Sequence, residues 1–353
     1  MSSKRMAKKF SQVRRNASWP ENLIPFNPHK DSCVIFSDHH KGDGSPADDF
    51  RKNASLYDKA LCYYQERGFR LLLVGDNEEL WENRFDQIMP KYENILKKEI
   101  TLSLKDSKGR VIRIYGNHDK EVSLKSFQKS LKFQQDHIFR NVDFREGLCL
   151  GEHIFLIHGH QGRFFDDKAW KLSRWAVKFI WKTIQKIFNI GIDGPAENPA
   201  IRNDLEKQYY SWSKKNKTIL ICGHTHRAVF ASHTHYSRLT REKEQLEKLL
   251  ATTSPESPQK LENDLIEVKK EIGKILKKTG GIPPPTFEPN PLPCYFNDGC
   301  CGYTNGITCL EIEDGWIRLV KWEKNSFKRL IYQESLLESC LKETLGRKKK
   351  IPD

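Results

Sequence analysis

Five short segments gather the side chains best suited to chemistry: Asp38-His39-His40, Gly75-Asp76-Asn77, Gly116-Asn117-His118-Asp119, His158-Gly159-His160 and Gly223-His224-Thr225-His226. Together they offer carboxylates, imidazoles and an amide, the ligand types of Mn, Fe or Zn centres that activate water. Their number suffices for two cations, and a two-metal centre stabilises both the attacking and the leaving oxygen of an in-line displacement at phosphorus. Hydrolysis of a phosphate ester is therefore the first reading. Any one segment is weak evidence, because Asp-x-His arises by chance and a lone His in an apolar setting is usually a core residue. The specific signal is the order of all five, each behind an apolar run.

Those apolar runs read as strands. The pattern predicts strands over 33–37, 69–74, 110–115, 153–157 and 218–222, with helices over 49–67 and 87–104 between the early ones. A continuous run such as Leu71-Leu72-Leu73-Val74 suits a strand covered on both faces. Residues 294–297, 306–313 and 316–322 read as a strand and then a hairpin through Glu313-Asp314-Gly315. The candidate ligands thus fall where strands end, and open α/β sheets bind ligands outside the carboxyl ends of their strands.

Composition sets the outer bounds. The chain of 353 residues is long enough for one large domain or two ordinary ones. Its formal charge is +14, from 60 Lys+Arg against 46 Asp+Glu, which favours polyanionic partners without choosing among nucleic acid, anionic membrane and phosphorylated substrate. Nine scattered cysteines lack any CxxC spacing, so reduced thiols and a cytoplasmic location are expected. The basic start has no apolar run behind it and is not expected to be a secretory signal. No stretch approaches the 18 apolar residues of a membrane span.

Two segments interrupt the strand–helix alternation. Residues 162–216 contain an amphipathic helix over 168–189, with Lys171, Arg174, Lys178 and Lys182 on one side, Leu172, Phe179 and Ile184 on the other, and Trp170 and Trp181 flanking. Residues 236–293 read as a helical hairpin with a Pro-rich return. Leu261, Leu265, Val268, Ile272 and Ile275 follow 4,3,4,3 spacing there, the coiled-coil pattern over barely two heptads.

In order and context the five motifs resemble those of the calcineurin-like metallophosphoesterases: D-x-H, GD, GNH(D/E), a His written HG or GH, and GHxH. The resemblance runs from about residue 32 to 322, apart from the two insertions. It implies a four-layer α/β/β/α sandwich with helical insertions. It also implies that Asp38, His40 and His226 bind one metal, that Asn117, His158 and His224 bind the other, and that Asp76 bridges them. A bridging hydroxide would attack phosphorus, and His118 would stabilise a phosphoryl oxygen or protonate the leaving group. Two divalent ions are expected, Mn first and Fe or Zn otherwise. Asp119 would orient His118; His39 is passed over by the D-x-H spacing; His160 stays open between support, substrate contact and structure. Asp43 and Glu79 read as solvated loop and helix-start carboxylates first and as supports for the ligands second, and His233 and His235 as structural.

The organisation expected is a basic N-terminal extension (1–31), a metallophosphoesterase domain (32–330) and a basic C-terminal tail (331–353). The function expected is hydrolysis of a phosphate ester or pyrophosphate. The first insertion is similar in placement to that of UDP-2,3-diacylglucosamine hydrolases, which use it to receive acyl chains at the membrane. Lys and Arg beside Trp also suit a peripheral contact with anionic lipid. The chain departs from that subfamily at His118, where those hydrolases carry Arg. A helix burying its aromatic face on the core is the preferred reading of 168–189. A nuclease is a further alternative, and a non-catalytic scaffold ranks last because every expected ligand is present.

Overall fold

Alternate side chains of the central strands enter different parts of the core, so these strands are covered on both faces. The computed structural model describes residues 3–133, 138–162, 198–252 and 259–346. The protein is a mixed α/β fold. In β1 (Cys33–Phe36), Val34 and Phe36 join one apolar cluster while Cys33 and Ile35 join another. The same division splits Leu71 and Leu73 from Leu72 in β2 (Arg70–Leu73). In β6 (Ile154–Ile157) and β7 (Ile219–Cys222), Ile154, Leu156, Ile219 and Ile221 share the cluster of Cys33 and Ile35. Phe155, Ile157, Leu220 and Cys222 enter a third cluster.

The strands assemble into two large mixed sheets. Five strands run in the order β13 (Arg329–Leu336), β12 (Trp316–Glu323), β11 (Gly306–Glu313), β1, β2, with β1 and β2 parallel. Six run β5 (Gly147–Leu150), β6, β7, β10 (Tyr295–Asn297), β8 (Val229–Phe230), β9 (His233–Thr234), with β6, β7 and β10 parallel. A parallel pair, β3 (Val111–Ile114) and β4 (Val142–Arg145), meets the end of β2 through a bridge from Val74 to Ile114. The β11–β12 hairpin turns at Asp314 and Gly315, both at positive φ, as a two-residue turn matched to strand twist requires.

Helices cover these sheets for local reasons as well as packing ones. Helices α2 (Ala54–Glu66) and α3 (Phe85–Leu102) send Leu56, Tyr57, Leu61, Ile88 and Leu96 into the cluster of Val34 and Phe36. A short α4 (Lys125–Phe133) follows β3. Helix α5 (Pro199–Asn216) starts where Asn198 accepts hydrogen bonds from the amides of Ala200 and Ile201, with Pro199 placed where no amide is needed. Its Tyr209 and Trp212 pack against Phe10 of α1 (Ser3–Ala17). The first residues are therefore more than a charged extension: Met6, Phe10, Val13 and Ala17 are buried in the third cluster. The segment after 330 likewise holds most of β13 and α8 (Leu337–Leu345), whose Leu337 and Cys340 are buried. Helices α6 (His235–Thr252) and α7 (Gln259–Lys278) pack against each other. The expected helix over 168–189 lies outside the described residues. Among the described residues, no helix is long and apolar enough to cross a membrane.

Candidate metal centre

Each candidate ligand stands just beyond the carboxyl end of a strand: Asp38 and His40 after β1, Asp76 after β2, Asn117 after β3, His158 after β6 and His224 and His226 after β7. Backbone geometry there is unusual. Asp38, His40, Asp76, His224 and His226 all have φ between 50° and 67°, a left-handed conformation that costs non-glycine residues on the order of 1–3 kcal/mol each. Asp and His tolerate this region better than bulky residues do. Such conformations persist where the surrounding structure over-determines them, and they cluster at functional sites. The glycine preceding Asp76 is needed for space as well. At Gly75, with φ of +89°, a Cβ would sit 2.6 Å from the His158 ring and 2.8 Å from the amide nitrogen of Gly116.

The expected ligands converge in two groups, Asp38 with His40 and His226, and Asp76 with His158 and His224, and His40 also stands in a third group with Glu79 and His118. In the first, His226 Nε2 lies 3.0 Å from Asp38 Oδ1 and 3.2 Å from His40 Nε2, across 186 residues of sequence between the two histidines. In the second, His158 Nε2 lies 3.1 Å from Asp76 Oδ2. Asp76 Oδ2 is also 3.9 Å from His40 Nε2, so this carboxylate stands between the groups. Burial opposes ionisation of Asp38 and Asp76, but the facing imidazoles hold both carboxyls below their usual range. Burial likewise opposes charging of His158, and Asp76 and Asp38 overcome it, raising its pKa to about 10.

The donor atoms fit divalent cations. His158 Nδ1 is 2.8 Å from the Val74 carbonyl, to which it donates, and this makes Nε2 the lone-pair nitrogen of a neutral ring. That lone pair faces the Asp76 carboxylate, an arrangement that needs either a proton or a cation between the two. Asn117 Oδ1 is buried without a hydrogen bond. Oxygen and imidazole donors in this mixture suit Mn, Fe or Zn.

Around these groups lie residues whose roles depend on tertiary placement. Glu79, which the sequence reads as a solvated carboxylate, is partly buried and joins two histidines: it lies 2.9 Å from His40 Nδ1 and 2.7 Å from His118 Nδ1. This departs from the preferred sequence reading and matches the alternative of a supporting role, because the turn after β2 folds Glu79 back over both rings. Burial works against His118 as a cation, yet Glu79 and Asp76 raise it to about 9. Burial works against Glu79 as an anion, and His118 and His40 hold it down at about 2. Trp81 stacks on the His118 ring at 4.0 Å and 21°, and its indole Nε1 donates to the Asn117 carbonyl at 2.8 Å. Nothing in the sequence singles out Trp81. The His118 amide donates to Asp76 Oδ1 at 2.8 Å.

Asp119, expected to orient His118, instead accepts from the backbone amides of Asn77 and Gly116 and from the Asn77 side chain. It therefore ties the loop after β2 to the loop after β3. Burial, with Asp76 and Glu78 nearby, lifts its carboxyl to about 6. His39 packs in an aromatic pocket against Tyr57 and Phe50, away from both ligand groups. His160 is fully buried 5.5 Å from the His158 ring, with neither ring nitrogen hydrogen-bonded. Asp43 accepts from the Ser45 amide in its own loop. All nine cysteines are free, Cys300 and Cys301 among them.

Beneath the ligand loops is a buried charge quartet. Lys41 Nζ lies 2.8 Å from Glu99 and 3.8 Å from Glu78, while Arg113 lies 2.8 Å from Glu78 and 3.7 Å from Glu99. All four side chains are essentially inaccessible, and Tyr57 donates to Glu99 at 3.0 Å. Opposite charges balance, and the quartet links the loops after β1 and β2 to β3 and α3. No protein-family model matches the chain, and no curated protein does.

Proposed function

We propose that this chain is a binuclear metal-dependent phosphoesterase of the calcineurin-like type. The observation that carries the reading is the convergence of five loops, from strands of both large sheets and from β3, into two adjoining Asp/His groups with Asp76 between them. Asp38, His40 and His226 would hold one cation; His158 and His224 would hold the other, with Asn117 supplying its buried amide oxygen. Asp76 would serve both. The fold reading that accompanies this is a four-layer α/β/β/α sandwich. The division of alternate residues in β1, β2, β6 and β7 among three apolar clusters supports it.

Divalent cations, Mn first, would supply Lewis-acid polarisation of a phosphoryl oxygen and activation of water near neutral pH. The chain's own residues do the rest. His118, with Nδ1 engaged by Glu79 and its ring stacked on Trp81, would present Nε2 and its proton to a phosphoryl oxygen or a leaving group. The substrate class is a phosphate ester or a pyrophosphate, which a chain of charge +14 would attract electrostatically. The test is metal content together with turnover: the purified protein should bind two divalent cations per chain and hydrolyse an aryl phosphodiester when Mn is supplied. A protein that binds no divalent cation, or binds it and hydrolyses no phosphate ester or pyrophosphate, would overturn the reading.

A further inference from the structure

We propose that helices α6 and α7 are a self-association surface, through which two copies of this chain pair α7 against α7 in antiparallel fashion. This surface is independent of the metal centre proposed above.

The distribution of charge points to a second copy. Helix α6 ends at Thr252, α7 begins at Gln259 and the two pack against each other, so they run antiparallel, and Glu247 meets Lys269 at 3.0 Å. At the end where α6 stops and α7 starts, Glu244, Glu247, Glu262, Asp264 and Glu267 outnumber Lys248 and Lys260. Toward the other end, α7 carries Lys269, Lys270, Lys274, Lys277 and Lys278 against Glu271 alone. Beside them α6 carries Arg238, Arg241 and Lys243 against Glu242 alone. Helix dipoles account for only half of this. Acid early and base late suits α7, but α6 runs the other way, with its bases first. Like charges therefore lie side by side at both ends of the pair, which opposes the pairing. A second copy turned end for end sets acid beside base at both ends. A two-fold axis makes that fit self-complementary.

The outer side of α7 carries a matching relief. Glu262, Ile266, Gly273 and Lys277 are spaced by four, seven and four residues, which places them in one narrow sector of the helix. All four are exposed, while Val268 on the far side of α7 is buried. Ile266 is 63% exposed, more than any other large apolar side chain among the described residues. A Cβ added at Gly273 meets nothing within 4 Å. Glycine inside a helix weakens it, and here it leaves a hollow that a second chain can enter. Antiparallel pairing about a point between Lys269 and Lys270 seats Ile266 over the partner's Gly273. The same register sets Glu262 beside the partner's Lys277, and symmetry repeats each contact. Lys269 and Lys270 flank the sector, and Lys269 is held by Glu247.

Sedimentation equilibrium of the full chain, at about 0.15 M salt so that the charge of the two bodies is screened, reads the mass. Wild type should dimerise within roughly 1–100 μM. Ile266→Glu should stay monomeric over that range. Glu262→Lys and Lys277→Glu should each weaken the dimer at least about tenfold, and the two together should restore it, because the exchanged charges attract again. Ile266→Cys combined with Gly273→Cys should give an interchain disulfide on mild oxidation, and Ile266→Cys alone should not. Circular dichroism checks that each variant keeps its helices. A wild type that remains monomeric throughout the range would overturn the inference, as would a dimer that Ile266→Glu leaves intact. A double charge exchange that dimerises no better than either single one would equally overturn it.

Discussion

Asp76 Oδ2 lies 3.1 Å from His158 Nε2, and this contact joins the end of β2 in the five-stranded sheet to the end of β6 in the six-stranded sheet. The site is therefore built across two sheets, and its geometry depends on how closely their ends approach.

That closeness makes Gly75 a sensitive position. Its φ of +89° already disfavours a side chain, and a Cβ would press on the His158 ring. Gly75→Ala should lower the melting temperature and weaken Mn binding together, because relieving the contact moves His158 away from Asp76. Alanine at exposed Gly109, where nothing lies within 4 Å of the added carbon, carries only the backbone cost of its own positive φ and should leave Mn affinity intact. Equal Mn affinities in the two variants would refute the close-approach argument.

The buried quartet should be far more costly to break than a surface pair. Lys41→Met leaves Glu99 and Glu78 short of a cation inside the protein, a loss expected at about 3–5 kcal/mol. The pair Lys97–Glu93 is more than half exposed on both sides, and Lys97→Met should cost no more than about 1 kcal/mol. Urea denaturation of both variants measures the difference. Comparable losses would mean that the quartet contributes no more than solvated charges do.

Glu206 gives the stability a pH signature. It is fully buried against Thr225 at 3.0 Å and Arg227 at 3.2 Å, and it also faces Arg202 and Tyr295. Burial outweighs the two arginines and raises its pKa from the ordinary 4.5 to about 7. A carboxyl raised on folding binds more protons in the native state. Its contribution is fully present below about pH 4.5 and is lost as pH rises through about 7. Glu206→Gln should therefore gain stability relative to wild type as pH climbs across that window. The gain is on the order of 3 kcal/mol at most, at about 1.4 kcal/mol per pKa unit. Melting curves of both proteins from pH 5 to 8 check the sign. A difference that stays flat, or runs the other way, would show that Arg227 holds Glu206 ionised throughout.

Much of the site's frame was legible because it is local. Strands over 33–36, 70–73, 111–114, 154–157 and 219–222 are short apolar runs, and the ligand motifs follow each within a few residues. What the sequence leaves open depends on partners distant in it. Glu79 reads as a solvated carboxylate or as a support for the ligands, and the turn after β2, which folds it against His40 and His118, decides for the second. Asp119 sits beside His118 in sequence but turns to the backbone of Asn77 and Gly116, because those amides lie buried and need an acceptor. Helix α1 carried a visible signal: Met6, Phe10, Val13 and Ala17 repeat at helical spacing. Its many Lys and Arg residues make the segment read as a basic extension, although they flank this apolar stripe. The strand and helix at 329–345 carry no strong periodicity to read: β13 is an edge strand that leaves Ile331 and Tyr332 exposed.

In the proposed centre two metal groups share Asp76 while His118 serves chemistry alone. Metal content and aryl phosphodiester turnover, measured on wild type, Asp76→Asn and His118→Ala, test it directly. Wild type should hold two cations per chain. Asp76→Asn should lose affinity at both sites together and lose activity. His118→Ala should keep its cations and turn over about 10²- to 10⁴-fold more slowly. An Asp76→Asn protein that binds two cations with wild-type affinity and keeps full activity would contradict the claim.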